Sequence, residues 1–263
     1  MKSLTVLKIG GNVIDCQHVL EGVLRDFATW QGAKILVHGG GKVANKLMTQ
    51  LGIEPKMVDG RRITDRETLD IVTMVYGGLI NKNIVATLQS NSCNAIGLTG
   101  ADANVIPATK RQVKNVDYGY VGDLKQDCIS SDTIAGFLET GLVPVIAPIT
   151  HDSAGTLLNT NADTIASSVA VAMSKTFKVF LVYCFEKKGV LRNPADDNSV
   201  IDFLDEILYN QYKNEGIITA GMIPKLDNAF EALHSGVYEV VICNPDAGLA
   251  PAQIKGTRIV NSE

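Results

Sequence analysis

The sequence predicts an α/β fold in which a mainly parallel β-sheet is covered by helices on both faces. Strand-like and helix-like stretches alternate along the 263 residues, as they do where crossover helices connect parallel strands. The stretch LVPVIAPI (142–149) is apolar throughout, which is typical of a strand buried on both faces. The length suffices for one large domain or two lobes.

The first half of the chain supplies three predicted strands and three predicted helices. Apolar residues recur at helical spacing in the helices, and the first two strands each end in a glycine-rich turn. Thr64 and Glu67 form the T-x-x-E pattern of a capping box, which we expect to open the third helix. The predicted strands are 4–9, 34–38 and 94–98, and the predicted helices are 17–30, 42–51 and 65–90.

The second half continues the alternation after a hairpin-like stretch over 103–128 that contains Gly119 and Gly122. Short apolar strands again alternate with segments of helical periodicity, so the same sheet should extend through the C-terminal half. The predicted helices are 131–139, 162–174, 203–214 and 225–235, and the predicted strands are 142–149, 178–183, 238–243 and 257–260.

Composition excludes several classes of protein. The net charge is −4 and no basic tract occurs, so nucleic acid is not an expected partner. No uninterrupted apolar run approaches the ~18 residues of a membrane span, and Lys8 interrupts the apolar N-terminus. We therefore expect a cytoplasmic protein without a membrane partner. The five cysteines and four histidines are scattered, so we expect reduced thiols and no metal site.

The glycine loop HGGGK (38–42) after the second strand allows several interpretations. A P-loop is excluded because Lys42 is followed by valine and no glycine has the required spacing. Gly39, Gly41 and Ala44 satisfy the dinucleotide pattern G-x-G-x-x-A, although that pattern normally follows the first strand. The HGGG oxyanion loop of esterases needs a G-x-S-x-G nucleophile, which the sequence lacks. The remaining interpretation is a tight turn that binds no ligand. It is disfavoured because each of the three glycines raises the conformational entropy lost on folding.

The first strand resolves part of this ambiguity. LKIGGN (7–12) also ends in a glycine pair, so two successive strands end in glycine-rich turns. In a parallel sheet such turns lie side by side at the carboxyl edge, where ligands bind. Lys8 lies near that edge between apolar neighbours, which makes it a candidate phosphate contact.

A second candidate segment is LLNTNADTIASSVAVAM (157–173). Asn161 is placed as an N-cap, and Asp163 lies in the first helical turn. Capping alone would explain those two residues. Together with Asn159, however, they offer more polar groups than one helix start needs.

A third candidate segment is GIITAGMIPKLDNAFEAL (216–233). Pro224 suits the first turn of a helix. Lys225 would then lie near the positive end of the helix dipole, which is unfavourable for a cation. Such a placement favours an anionic partner, with a tolerated surface lysine as the alternative.

These residues together resemble a known family. The motifs stand in the order and at roughly the spacing found in acetylglutamate kinases of the amino-acid-kinase superfamily, and the resemblance extends from one end of the chain to the other. The motifs are LKIGGN, LVHGGGK, GRRIT, GLTGADA, GYVGD, NTNADTIA, GIITAGMIPKL and the closing GTRI.

The resemblance implies a single domain over 1–263 with the fold of a three-layer αβα sandwich. Residues 1–174 would bind the acylated glutamate, and residues 175–263 would bind ATP. The implied reaction phosphorylates the γ-carboxylate of N-acetyl-L-glutamate to N-acetyl-L-glutamyl 5-phosphate in arginine biosynthesis. A γ-carboxylate is ionised at pH 7 and needs no general base. Lysines, glycine N–H groups and a Mg²⁺ carried by the nucleotide would offset the repulsion between the two anions.

The resemblance also implies roles for individual residues. Lys8 and Lys225 correspond to the phosphate-stabilising lysines, and Asp163 corresponds to the acid that orients them. Arg62 corresponds to the arginine that grips the substrate's α-carboxylate, and Asn159 to the residue that binds the amino-acid end. The glycines fall into two pairs: Gly10 and Gly11 beside the ATP phosphates, and Gly40 and Gly41 facing the reacting carboxylate.

The nucleotide contacts are assigned only by region, because the sequence departs from the family there. Many relatives have a short TDV-x-G turn where this chain has VYCFEKKGVL (182–191), with Cys184 near the usual aspartate. Ala220 replaces an aspartate that is common in relatives. The expected contacts are Val182, Tyr183, Cys184, Phe185, Gly189, Ile217, Ile218 and Thr219.

The resemblance bears on assembly as well. Arginine-inhibited hexameric relatives carry an extra N-terminal helix, whereas this chain begins with the first strand, so we expect a homodimer without arginine feedback. The helix over 65–90 is the expected dimer surface, with core packing as an equal alternative. The apolar residues at issue are Ile71, Met74, Val75, Leu79 and Ile80.

Three alternative functions stay open at this point. The acyl group could be succinyl, because the sequence does not show the width of its pocket. A catalytically silent sensor is disfavoured by the retention of Lys8, Asp163 and Lys225. An NAD-dependent oxidoreductase would follow from the dinucleotide pattern.

Overall fold

One eight-stranded sheet runs through the molecule, in the order β12-β14-β13-β11-β1-β2-β8-β5. The structure is a computed structural model that describes residues 1–58, 60–125, 127–218, 222–245 and 254–261. All pairs in this sheet are parallel except β13 with β14. Its strands are β1 (Ser3–Ile9), β2 (Ala33–His38), β5 (Ala95–Leu98), β8 (Val143–Ile146), β11 (Lys178–Cys184), β12 (Phe203–Leu204), β13 (Glu239–Cys243) and β14 (Thr257–Ile259).

Three short antiparallel pairs lie outside the main sheet. They are β3 (Met57–Val58) with β4 (Arg61–Arg62), β6 (Thr109–Lys110) with β7 (Gly122–Asp123), and β9 (Ile149–His151) with β10 (Leu157–Asn159). The β6–β7 pair confirms the hairpin expected within 103–128. The single strand expected over 142–149 is instead two strands, because Ala147 and Pro148 interrupt it and β9 pairs with β10.

Helices cover both faces of the sheet. They are α1 (Gly11–Asp15), α2 (Gln17–Thr29), α3 (Gly41–Gln50), α4 (Arg66–Val72), a π-helical segment (Thr73–Ile80), α5 (Asn81–Ser90), α6 (Ser131–Glu139), α7 (Ala162–Ser174), α8 (Glu206–Asn214) and α9 (Ile223–His234), with a 3₁₀ turn at Asp102–Asn104. The predicted bounds of α6 and α7 are confirmed to the residue, and α8 begins three residues later than predicted.

The two faces of the sheet have separate hydrophobic cores. On β1, Leu4 and Val6 pack in the core beneath α6 to α9, whereas Leu7 and Ile9 pack in the core beneath α1 to α5. This alternation follows from the two-residue period of a strand. The three-layer αβα fold is therefore confirmed. The division into lobes at 174–175 stays a prediction, since β11 pairs with β1 along seven residues across that boundary.

The long helical segment begins one residue later than predicted and has a different cap. Asp65 is the N-cap, and its side chain accepts a hydrogen bond from the Thr68 N–H at 2.9 Å. The capping box assigned to Thr64 was wrong, because the Thr64 hydroxyl is buried and accepts a hydrogen bond from Asn159 Nδ2 at 3.0 Å. A contact with a residue distant in the sequence therefore keeps the Thr64 hydroxyl from capping this helical segment.

This same segment, Arg66–Ser90, is long and apolar enough to cross a membrane by length and composition, although no uninterrupted apolar run reaches ~18 residues. Of its most apolar window, 44% is buried inside the fold. Leu69, Val72 and Ile84 pack in the core beneath the sheet. The apolar composition therefore serves, at least in part, the packing of this face of the sheet.

Candidate active site

The candidate site lies where three neighbouring parallel strands end. β11, β1 and β2 are adjacent, and the turns after them are tied to one another by backbone hydrogen bonds. The Gly10 N–H donates to the Cys184 carbonyl, and the Gly39 N–H donates to the Ile9 carbonyl, each at 3.1 Å. The two glycine-rich turns therefore lie side by side at the carboxyl edge, as predicted.

A cavity of about 410 Å³, which we call the lysine cavity, opens beside the first turn. Among the residues that the structure describes, four lysines and two carboxylates border it, and this set carries a net positive charge that suits a polyanion. Its lining residues are Lys8, Gly10, Gly11, Asn12, Val13, Lys42, Asp163, Phe185, Glu186, Lys187, Gly189, Met222, Lys225 and Ile242.

Lys8 and Asp163 form a partly buried ion pair in this cavity. Lys8 shares a face of β1 with Leu4 and Val6 and is only 6% exposed, and its Nζ lies 2.6 Å from Asp163 Oδ1. The contact is charge to charge and is not aligned as a hydrogen bond. Asp163 is held at the start of α7, where Asn161 Oδ1 accepts from the N–H groups of Asp163 and Thr164. The predicted N-cap is thus confirmed.

Lys225 reaches the same cavity from the opposite side, at the third position of α9. Burial lowers the pKa of its ammonium, Asp163 opposes that effect, and the charge of Lys8 lowers the pKa further. A cation at the positive end of a helix, next to a second cation, is unfavourable until an anion arrives. The structure therefore brings together the three residues predicted to be catalytic.

A second cavity of about 230 Å³, which we call the arginine cavity, adjoins the second glycine turn. Buried Arg62 lines it, donating from Nη2 to the Gly41 carbonyl at 3.1 Å and from Nη1 to Met48 Sδ at 3.4 Å. Asn159 lies on the same wall. All four residues predicted to bind the substrate border this cavity: Gly40, Gly41, Arg62 and Asn159.

The π-helical segment shapes the arginine cavity. Gly40 has φ of +150°, and a Cβ on it would lie 2.3 Å from Ile80 Cδ1 and 3.1 Å from Tyr76 Cδ1. Only glycine fits this close approach. The widened turn that carries Tyr76 and Ile80 against Gly40 is a type of irregularity common at functional sites.

The two cavities meet at the glycine turns and at the start of α7. At the second glycine turn, Gly41 lines the arginine cavity and Lys42 lines the lysine cavity. At the start of α7, Ala162 lines the arginine cavity and Asp163 lines the lysine cavity. Two ligands could thus approach each other across these residues. The geometry suits the transfer of a group between them.

The residues predicted to contact the nucleotide occupy two kinds of position. Val182, Tyr183 and Cys184 are buried in β11, and Ile218 is buried as well, whereas Phe185 and Gly189 line the lysine cavity. Ile217 packs against the core beneath α6 to α9. The prediction for Thr219 lies outside the described residues.

Sequence reasoning missed several residues of the site. Lys42, which it left without a role, contacts the Asn12 carboxamide oxygen and lies 3.6 Å from Asp15 Oδ2 at the lysine cavity. Arg111 and Asp123 form a bidentate ion pair in the wall of the arginine cavity. The HGGGK motif contained a signal for Lys42, but nothing local to the sequence pairs 111 with 123.

His38, at the end of β2, is a buried structural residue. Its Nδ1 lies 2.8 Å from the Gly39 carbonyl, and its Nε2 lies 3.2 Å from Asn81 Nδ2. The neutral ring with its proton on Nδ1 satisfies both contacts, since the Asn81 amide is a donor. Burial lowers the pKa of His38 from 6.5 to about 4.

We expect His38 to make the protein less stable in mild acid. Between pH 6.5 and about 4 the unfolded chain protonates this histidine while the folded chain does not, so stability is lost as the pH falls through that window. The pKa difference corresponds to about 3 kcal/mol. Denaturant unfolding across this range should show that His38→Gln lacks this part of the decline.

Exposed His18 offers the matched control, because His18→Gln removes a histidine from the surface of α2. This variant keeps His38, so it should keep the loss of stability between pH 6.5 and about 4. Equal acid sensitivity in the His38→Gln variant and the wild type would contradict the assignment of a buried neutral ring.

Known proteins resemble this chain over nearly its whole length. The amino acid kinase family profile matches residues 3–244. An acetylglutamate kinase from Cytophaga hutchinsonii is 57% identical over 248 residues, covering 94% of this chain and 93% of that protein. One from Methanopyrus kandleri is 39% identical over 245 residues, covering 92% and 95%. The solved structure of smu.665 from Streptococcus mutans UA159 is 29% identical, with a TM-score of 0.77 and 98% of both chains covered.

Proposed function

Because this chain belongs to the amino acid kinase family, we propose that it transfers the γ-phosphoryl group of ATP to the γ-carboxylate of N-acetyl-L-glutamate. The product, N-acetyl-L-glutamyl 5-phosphate, is the acyl phosphate of arginine biosynthesis. The observation that carries this proposal is the meeting of a lysine-lined cavity and an arginine-lined cavity at two glycine turns. Each cavity suits one anionic substrate.

The arginine cavity is assigned to the amino acid. Arg62 presents a buried guanidinium, which suits bidentate binding of the α-carboxylate. Asn159 is fixed by its hydrogen bond to Thr64 and would contact the amino-acid end. The γ-carboxylate would then point toward Gly40 and Gly41, where backbone N–H groups at the start of α3 favour negative charge.

The chemistry needs charge stabilisation and no general base. The γ-carboxylate is already an anionic nucleophile at neutral pH, so the barrier comes from bringing it against the phosphates of ATP. Lys8 and Lys225 lie at the lysine cavity, where their charges would stabilise the phosphoryl group as it moves. Asp163 binds Lys8 and faces Lys225, so it acts as an organiser and keeps its negative charge away from the reacting carboxylate.

The lysine cavity fits Mg²⁺ only as an ion that arrives with the nucleotide. Of its two carboxylates, Asp163 is paired with Lys8, and Glu186 adjoins Lys187 in the sequence. Among the described residues, no three aspartate, glutamate, histidine or cysteine side chains cluster as metal ligands. When bound, Mg²⁺ would neutralise part of the phosphate charge.

One assay tests the proposed function. The protein is incubated with Mg²⁺–ATP and N-acetyl-, N-succinyl- or free L-glutamate, and acyl phosphate is trapped with hydroxylamine as the hydroxamate. We expect hydroxamate with N-acetyl-L-glutamate and none without ATP. Greater product with the N-succinyl compound would assign the other acyl group. Absence of hydroxamate with all three acceptors would reject the kinase, and NAD binding in that case would favour the dinucleotide interpretation.

We also propose that the protein is a homodimer formed through the π-helical segment. Of the five apolar residues considered for this role, Ile71, Val75 and Ile80 are buried in the core. Met74 and Leu79 are instead 57% and 53% exposed. Two large apolar side chains on one solvent-facing turn support a surface that a second copy would cover.

The double change Met74→Asp with Leu79→Asp should therefore convert a dimer to monomers, because it places two like charges in the proposed apolar interface. The molar mass by light scattering or sedimentation equilibrium checks this. Leu51→Asp is the matched control, since Leu51 is equally exposed at the end of α3. A wild-type monomer, or a double variant that remains dimeric, would refute this interface.

A further inference from the structure

Phe185 lies unexpectedly close to both lysines of the site. It is the first residue after β11, and its N–H donates to the Cys243 carbonyl at 2.8 Å. The ring stacks on Tyr183, with centroids 5.7 Å apart and planes 7° apart. A Cβ added to Gly10 would lie 3.4 Å from Phe185 Cδ1, so the ring occupies the space beside the first glycine turn. The ring is thus fixed from several directions.

Both catalytic ammonium groups lie over this ring. Lys225 Nζ is 3.4 Å from the ring centroid, and Lys8 Nζ is 4.6 Å from it. Both distances are within the ~6 Å at which a cation is attracted to the negative face of an aromatic ring. One side chain therefore contacts both of the cations on which phosphoryl transfer is proposed to depend.

Two cations this close to each other are stabilised by a neighbouring group that attracts both of them. Burial lowers the pKa of Lys225, and the nearby charge of Lys8 lowers it further. Asp163 pairs directly with Lys8, and an added carboxylate would repel the incoming phosphates. An aromatic face attracts ammonium groups, carries no net charge, and leaves their N–H donors free for phosphate oxygens.

Building on the proposed kinase function, we propose that Phe185 is a positioning residue that holds Lys8 and Lys225 together for phosphoryl transfer. Its role differs from the nucleotide contact expected for this segment. The ring lies beneath the ammonium groups and acts through them. Asp163 and Glu186 raise the pKa of Lys225, and the ring adds attraction without a further negative charge that would repel phosphate.

The test replaces the ring while keeping its space. Phenylalanines carrying one, two and three fluorine atoms are incorporated at 185, because fluorination weakens the negative face with little change of shape. We expect kcat for acyl-phosphate formation to fall progressively, to about tenfold below wild type for the trifluorinated ring. The alkaline limb of the kcat–pH profile should move to lower pH along the series, because a weaker ring stabilises the ammonium form less.

Standard variants complete the series. Phe185→Leu should lower kcat at least as much as the trifluorinated ring. Phe185→Tyr keeps an aromatic ring and should therefore retain most of the wild-type kcat. Phe180→Leu is the matched control: Phe180 lies in β11, the strand that Phe185 follows, and packs on Tyr238, 5.2 Å away between centroids. We expect it to leave kcat and the pH profile unchanged.

The possible failures can be told apart. If the wild type forms no acyl phosphate, the proposed function fails and the inference fails with it. If the wild type is active and the fluorinated enzymes keep its kcat and alkaline limb, the positioning role is overturned while the kinase stands. The fluorinated series decides the matter even if Phe185→Leu does not fold.

Discussion

Lys8→Arg should lower kcat by about 10²- to 10³-fold while leaving the KM of ATP and of N-acetyl-L-glutamate within about threefold of wild type. The Lys8 ammonium is confined by the Asp163 carboxylate and the Phe185 ring, with Nζ 2.6 Å from Oδ1 and 4.6 Å from the ring centroid. A planar guanidinium keeps the charge but cannot occupy the place of a compact ammonium. Because the lost interaction is strongest in the transition state, kcat carries the effect.

Lys46→Arg is the matched control for this substitution. Lys46 lies exposed on α3, and the same exchange there should leave both kinetic constants unchanged. The measurement is steady-state hydroxamate formation, together with calorimetric binding of each substrate. A Lys8→Arg enzyme with kcat within threefold of wild type would remove Lys8 from the mechanism.

Gly40→Ala should abolish productive binding of the acceptor, with kcat/KM for N-acetyl-L-glutamate falling more than about 100-fold. Its Cβ would lie 2.3 Å from Ile80 Cδ1 at a backbone φ of +150°, which side-chain-bearing residues rarely adopt. Relief requires the side chain of Ile80 or Tyr76 to move or the second glycine turn to shift, and Tyr76 and that turn line the arginine cavity. We also expect the free energy of unfolding to fall by about 2–4 kcal/mol.

Two further variants separate the causes. Gly136→Ala, in α6 with no atom near the added Cβ, should not lower the free energy of unfolding, since alanine favours the helix. Adding Ile80→Ala to Gly40→Ala removes the shortest contact but neither the Tyr76 contacts nor the backbone conformation, so a partial recovery of kcat/KM measures the share due to Ile80. Wild-type kcat/KM in the Gly40→Ala enzyme would mean that this turn does not shape the acceptor site.

Some parts of this protein were determined by local sequence and could be predicted from it. The apolar alternation of β1 places Lys8 among buried residues at a strand end, and the Asn161 cap fixes where α7 begins and therefore where Asp163 lies. Helix periodicity gave α6 and α7 their bounds. These features depend on residues a few positions apart, so a short stretch of sequence contains all the interactions that decide them.

The motif resemblance went further, because it named residues from distant segments. Lys8, Asp163 and Lys225 come from three separate segments, and the structure brings them to one cavity. The segment 182–191 departs from the family pattern, and there the prediction gave only a region. Phe185 was included as a nucleotide contact, and its position over the two lysines was not foreseen.

Only the tertiary structure decided the contacts made across the sheet edge. Asp65, and not Thr64, caps the long helical segment because Asn159 binds the Thr64 hydroxyl from another part of the chain. The ring of Phe185 contacts Lys225 because the end of β11, paired in register with β1, lies close to the start of α9. Such contacts join residues tens to more than a hundred positions apart, and they form only when packed strands and helices fix the distance between them. Local sequence determined most of the elements and the bounds of α6 and α7, whereas packing divided the strand expected over 142–149 and determined which side chains meet.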